Sequence, residues 1–147
     1  TSLSRKSEKF MEQPQKPPPV SQETVSAFRA AAEAITRNAV ERALTYPEEV
    51  AQHGEDAPDL LYQGLLFVTK GLETALAFHT FDLLADQLRW GLDRLQHHGV
   101  TPHHVLHRLQ LYRDAVTAQL PAEQAHEVNA YVQWMIDYQR RLMSAQS

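Results

Sequence analysis

Residues 58–102 read PDLLYQGLLFVTKGLETALAFHTFDLLADQLRWGLDRLQHHGVTP. Leu61, Leu65, Val68, Leu72 and Leu76 recur in steps of three and four, the period of one face of an α-helix. Pro58 suits a first helical turn, and the stripe runs to about Phe78. At 1.5 Å per residue, Pro58 to Thr80 spans about 34 Å, which predicts a central rod. His79-Thr80 marks a break, with Thr80 as the expected cap and Asp82 favourable in the following first turn. Leu84, Leu88, Gly91/Leu92 and Leu95 form the next stripe, and Gly99 is a natural helix stop. Thr101-Pro102 combines an N-cap hydroxyl with a proline at the first helical position.

The same period extends in both directions. Upstream, Ser21 is the expected N-cap of a helix carrying Val25, Phe28, Ala32, Ile35, Val40 and Leu44. That helix must end at Pro47, whose ring cannot enter a helix interior. Residues 48–56 read as a polar connection containing Gly54. Downstream, Val105, Leu109, Tyr112, Val116 and Leu120 share one face. Pro121 restarts the chain, and Val128, Tyr131/Val132, Met135/Ile136 and Leu142 complete a last helix. Nothing alternates with the period of two that a half-buried strand needs. The expected fold class is all-α: about five main helices, the last two an antiparallel pair. Residues 1–20 carry four Lys/Arg, two Glu and the run Pro17-Pro18-Pro19. They read as a flexible proline-rich tail, with a short amphipathic helix around Phe10 and Met11 as the rival reading, ahead of a helical domain over 21–147.

The 147 residues contain no cysteine, 5 glycines and 8 prolines, and carry a formal charge of -4. Disulfide frameworks, thiolate nucleophiles and zinc–thiolate sites are thereby excluded. The acidic balance disfavours phosphate-driven nucleic-acid binding. No apolar run approaches the roughly 18 residues of a membrane span. A basic stretch followed by an apolar core is also missing, so no signal peptide is expected, and the start at Thr1 suggests a segment of something longer. The composition predicts a cytoplasmic protein without a membrane partner.

Catalytic signatures are scarce. GxSxG, GxGxxG and the P-loop pattern are all missing, and the carboxylate pairs Glu48/Glu49 and Glu55/Asp56 lie in stretches read as solvent-facing. A non-enzymatic role is the expectation. Eight histidines are the compositional oddity, five of them between positions 97 and 107. His103 and His107 would share a helix face, and an imidazole is a common iron or zinc ligand; HExxH does not occur.

Aromatic residues are spread over the later helices: Phe67, Phe78, Phe81, Trp90, Tyr112, Tyr131, Trp134 and Tyr138. They serve either as core or as the lining of a cavity for a flat ligand, stacking on its conjugated face while Lys70, Arg89 or Arg94 pairs with its carboxylates. Gly64, Gly71 and Gly91 lie inside helical patterns, where each costs about 1 kcal/mol relative to alanine. Close helix approach, or room for a guest against the backbone, would account for them.

Four stretches resemble the globin superfamily, in particular its phycobiliprotein-like and bacterial sensor-globin branches. Ile35-Thr-Arg-Asn-Ala-Val-Glu-Arg-Ala-Leu-Thr-Tyr-Pro47 is similar to the early helix that ends in an aromatic-Pro step in phycobiliproteins. Ala77-Phe78-His79-Thr80, Trp90-Gly91-Leu92 and Gly99-Val-Thr-Pro102 match the spacing of their chromophore-bearing helix pair. The resemblance covers roughly residues 25–143. It implies a globin-like bundle and a tetrapyrrole, bilin or haem. Covalent bilin attachment is excluded, because Leu61-Tyr62-Gln63-Gly64 stands where the Cys-Leu-Arg-Asp motif would be. Haem-binding sensor globins carry their iron-ligating histidine about four residues before a Gly-Leu-Pro-Pro turn. Here Leu95 occupies that place, and His97 and His98 follow it as the candidate iron ligands.

The combined expectation is a sensory, ligand-binding domain that signals to a partner or output domain. Its pocket should lie between the helices Pro58–Phe78 and Phe81–His98, closed by the last pair. Phe67, Lys70, Gly71, Phe78, Arg89, Trp90, Arg94 and Tyr112 are the candidate contacts to a non-covalent bilin or haem. The other reading is a ligand-free dimerisation module of a stress-signalling assembly. The resemblance implies a homodimer through the last two helices, where Tyr112, Tyr131 and Trp134 could serve the contact.

Overall fold

The computed structural model describes residues 13–146, the side chain of Gln52 excepted. Every regular element among them is helical. Helix α1 (Gln22–Leu44) starts where Ser21 Oγ accepts from the amide of Thr24 at 3.2 Å, which supplies one of the four partners a helix N-terminus lacks. Thr45 Oγ1 caps its end on the Arg42 carbonyl at 2.7 Å, and Pro47 then forbids continuation.

The polar stretch expected to be a loop folds instead into a short helix, α2 (Pro47–His53), and a single 3₁₀ turn (Gly54–Asp56). Its physical reason is local. Pro47 opens the helix without forfeiting a hydrogen bond, and Glu48 and Glu49 sit in the first turn, where the helix dipole favours negative charge. Helix α3 (Ala57–Phe78) follows and ends on His79, a left-handed residue at φ 51°. Helix α4 (Asp82–Arg94) has Phe81 at its cap position with no side-chain bond, so the cap expected from Thr80 does not form. A 3₁₀ turn (Leu95–His98) and left-handed Gly99 (φ 79°) lead into α5 (Pro102–Gln119). There Thr101 and His104 cap each other reciprocally: Thr101 Oγ1 accepts from the His104 amide, and His104 Nδ1 accepts from the Thr101 amide. Helix α6 (Ala122–Ala145) begins after the two residues Leu120 and Pro121.

Helix α1 is the hub: α3 and α5 both pack extensively on it, and α6 also reaches it. The α5–α6 pair shares the broadest contact, while α4 leans on α6 and α3. Between α1, α3 and α5 the core carries a polar thread. Thr36 Oγ1 meets Thr69 Oγ1 at 2.7 Å, and Thr69 Oγ1 meets the Tyr112 hydroxyl at 2.7 Å. All three residues are buried, and the carbonyls of Ala32 and Leu65 also lie within reach of the two threonine hydroxyls, so each of the three hydroxyl protons has an acceptor. Phe81, Tyr131, Trp134 and Tyr138 form the aromatic half of the core under α4 and α6. Burial of each such side chain contributes about 1.5–3 kcal/mol.

Residues 13–20, expected to belong to a free tail, run extended against this aromatic half and are tied to it. Trp134 Nε1 donates to the Pro14 carbonyl at 3.0 Å, and the Tyr131 hydroxyl donates to that of Pro18 at 3.1 Å. The reading of Phe10 and Met11 as a short helix lies outside the described residues. The globin-like arrangement stays a reading of the spacing; all-helical architecture is what the structure establishes.

Candidate functional site

Helices α2 to α6, the 3₁₀ turn Leu95–His98 and Val100 line a hollow of about 630 Å³. Helix α3 presents Leu61, Leu65 and Val68 from its apolar stripe and Leu60, Gly64 and Phe67 from the adjoining edge. Helix α4 answers with Gln87, Leu88 and Gly91, spaced three and four apart. Leu95 and His98 of the 3₁₀ turn, then Val100, close one side, and Val105, Arg108 and Leu109 of α5 form the floor with Met135. The walls are therefore mainly apolar, interrupted by Gln63, Gln87 and His98. A volume within the roughly 300–1,000 Å³ of small-molecule sites makes room for a sizeable guest.

Two of the three helical glycines serve the hollow directly. A Cβ on Gly64 would meet no atom within 4 Å, and one on Gly91 would touch Leu95 Cδ1 at 3.4 Å. Both backbones face the space, so the missing side chains widen it from opposite walls. Gly71 has a different reason. Its Cβ would fall on the carboxamide of Gln87, so this glycine lets Gln87 of α4 lie against α3.

One end of the hollow is polar, and its organisation begins with Glu49 on α2, which is 0% exposed. A buried carboxylate is costly unless charged partners surround it. Arg108 Nε donates to Glu49 Oε2 at 2.7 Å, and His107 Nδ1 lies 3.1 Å from Oε1. The same guanidinium reaches His53 Nε2 through Nη2 at 3.2 Å. A guanidinium can only donate, so His53 Nε2 must accept, which requires the neutral ring. Burial is the main influence lowering the His53 pKa below the ordinary histidine value; Arg108 and His104 add to it and Glu49 opposes it. His107 packs edge-on against Tyr46, with ring centroids 4.6 Å apart. Arg108 and His53 both line the hollow, so a mainly apolar chamber ends in a guanidinium whose charge is paired with Glu49.

The sequence-derived candidates divide sharply. Phe67 and Trp90 stand at the rim, 50% and 52% exposed, with centroids 6.3 Å apart. His98 lines the wall, whereas His97 does not. Arg94 is not part of the lining; its guanidinium lies 5.3 Å over the Trp90 ring. Arg89 is committed elsewhere: Nη1 donates to the Tyr138 hydroxyl at 2.7 Å and Nη2 pairs with Asp86. Phe78 is 77% exposed on the surface, and Lys70 is exposed away from the hollow. Tyr112 is buried in the polar thread, its pKa raised by burial against a smaller opposing pull from Thr69. Gly71 backs the wall through Gln87 and does not form it. Tyr131 and Trp134, offered for a dimer contact together with Tyr112, are also buried in the fold.

The charged group that does reach the hollow, Arg108, and its neighbour His53 are not among the contacts the sequence predicts. Arg108 flanks the apolar stripe three residues after Val105, and that proximity was the available signal. Its partner Glu49 lies 59 residues away in a stretch read as solvent-facing. Two of the five clustered histidines have structural work: His104 caps α5 and His107 serves Glu49. Among the described residues no three His, Cys, Asp or Glu side chains come together as a metal site. No family model, curated protein or solved structure matches the chain.

Proposed function

We propose that this chain is a ligand-binding module of globin-like type, not an enzyme, that holds a flat, largely apolar molecule bearing a carboxylate in the hollow between α3, α4 and α5. The observation that carries this reading is a chamber of about 630 Å³ with apolar walls and a guanidinium, Arg108, at one end. Non-covalent tetrapyrroles, bilin or haem, are the leading class, because they combine a broad conjugated body with acidic side chains. The residues fit such a guest in three respects: Phe67 and Trp90 offer aromatic faces at the mouth, Arg108 offers a charge-assisted partner for a carboxylate, and His98 offers an imidazole in the wall. A bound bilin would supply a visible-light chromophore and a bound haem an iron centre, either of which suits a sensory domain in the cytoplasm that signals to an output partner.

The test is a titration of the full chain with biliverdin and with hemin, followed by absorption. Gly64→Phe projects a ring into the open space beside Gly64 and should abolish binding while keeping the helical spectrum. A stoichiometric spectral shift, lost in that variant, is the expected result. No shift with either compound removes the tetrapyrrole claim. His98→Ala then separates the two classes, since only an iron ligand would change a hemin spectrum on removal.

A second reading, the ligand-free interaction module, draws on Leu60, Phe67 and Trp90, which leave a half-exposed apolar rim around the mouth. An association of two copies through this rim, abolished by Trp90→Asp with no guest bound, would favour it.

A further inference from the structure

The segment Gln13–Val20 is held by its carbonyls. Trp134 Nε1 takes that of Pro14 at 3.0 Å, His79 Nε2 that of Pro17 at 2.8 Å, and the Tyr131 hydroxyl that of Pro18 at 3.1 Å. Proline has no N–H, so the carbonyl is the only hydrogen-bonding group its backbone offers. All three partners act as donors, which fixes the proton of His79 on Nε2. Gln13, Lys16, Pro17 and Pro18 each precede a proline and are thereby kept out of the helical region. In a polyproline II helix, with three residues per turn, the carbonyls of Pro14 and Pro17 recur on one edge about 9 Å apart. Trp134 and His79 read that edge.

Beneath the segment lies a continuous aromatic bed. Phe81 stacks on Tyr131 with centroids 5.0 Å apart and tilts against Trp134 at the same distance. Pro14 is buried on this bed, and the Lys16 ammonium stands 5.9 Å over the Phe81 ring. His79 adopts φ 51°, a backbone region that residues other than glycine seldom enter, and in that pose it reaches Pro17. Apolar packing alone would need none of these donors. Indole, phenol and imidazole groups aimed at successive prolyl carbonyls select a conformation, the extended proline-rich one, with little demand on side-chain identity.

We infer that this groove is a receptor site for proline-rich extended segments, filled in cis by residues 13–20, and that a proline-rich segment of a partner protein takes the same seat when the strap is released. The cis strap itself shows the chemistry of the occupant: prolines at the first, fourth and fifth positions of the contact. A second copy's strap is the less favoured occupant, because the strap is anchored at its root, where the Ser21 amide donates to Glu127 Oε2 at 3.1 Å.

The tethered strap competes at an effective concentration in the millimolar range. A peptide of sequence QPQKPPPV, blocked at both ends, should therefore bind the full chain poorly. It should bind at least tenfold more tightly to the full chain carrying Pro14→Gly, Pro17→Gly and Pro18→Gly, in which the strap no longer prefers the extended state. The readout is the indole N–H resonance of Trp134, assigned by its persistence in Trp90→Phe. Opening the strap moves it, and peptide returns it towards the wild-type position. A peptide with its prolines replaced by alanine should fail to do so. Equal affinities for the two chains, or equal binding of the alanine peptide, overturn the proposal. Should the triple variant lose its helical spectrum, Pro17→Gly alone serves the same comparison. A dimer of the intact chain that the peptide dissolves would reassign the seat to a second copy and overturn the partner reading.

Discussion

Arg108 Nε lies 2.7 Å from Oε2 of Glu49, a carboxylate with no exposed surface on a helix 59 residues away. The pair joins α2 to α5 and aims the guanidinium at the end of the hollow. Removing one member of a buried charge pair leaves the other uncompensated, at a cost of about 3–5 kcal/mol. Arg108→Met should therefore lower the melting temperature sharply. Glu49→Gln/Arg108→Met should cost clearly less than the sum of its parts, because no buried charge is then left over. Additive losses in a thermal-melt cycle would show that the two groups act independently.

His53 gives the acid side of the stability curve its sign. Burial and the neighbouring Arg108 lower its pKa in the folded state, so the unfolded chain binds the proton more readily. Its contribution is present above the ordinary histidine pKa of about 6.5 and is lost as pH falls through the lower folded value. Denaturant midpoints measured from pH 8 down to pH 5 should fall, and His53→Gln should flatten that part of the profile. An unchanged slope in the variant would transfer the effect to other groups.

Tyr112 acts at the opposite extreme. Burial raises its pKa above the ordinary 10.0. The folded state therefore retains the phenol proton while the unfolded state releases it. The stability this represents is intact below about pH 10 and drains away as pH rises towards the folded value. Tyr112→Phe should cost about 1 kcal/mol at neutral pH through the lost bond to Thr69. It should also reduce the alkaline loss seen in the parent, as read from chemical denaturation between pH 8 and pH 11.

How much of this was legible depends on the range of the interactions. The Leu stripes of α3 and α4 are local periodicities, and Ser21, Gly99 and Thr101 are local termini, so these emerged from the sequence directly. Helix α2 did not, because a seven-residue helix with one apolar contact face is too short for a period to register. Arg89 and Arg108 illustrate the harder problem. Both follow apolar stripes, yet Tyr138 claims the first and Glu49 positions the second, across 49 and 59 residues. Such assignments are tertiary and leave no trace in spacing. The strap shows the same limit: its prolines specify an extended backbone, while the donors that hold it come from residues 79, 131 and 134.

The glycines offer the sharpest comparison of packing with propensity. Gly64→Ala adds a methyl group where nothing stands within 4 Å, so the helix should gain close to the full preference for alanine, about 1 kcal/mol. Gly71→Ala gains the same preference but pushes its methyl into the Gln87 carboxamide. Because that carboxamide is the far end of a flexible side chain, it can swing aside, and the net stability change should stay within about 0.5 kcal/mol of zero, the gain in propensity being offset by the lost seat. Gln87 is part of the wall of the hollow, so its displacement should weaken guest binding severalfold in Gly71→Ala. Gly64→Ala, on the opposite wall, should leave a ring-sized guest nearly unaffected. Thermal melts and a ligand titration on the two single variants separate these effects. Equal stabilisation by both would show that Gln87 moves without penalty, and equal affinities would take Gln87 out of the guest's surroundings.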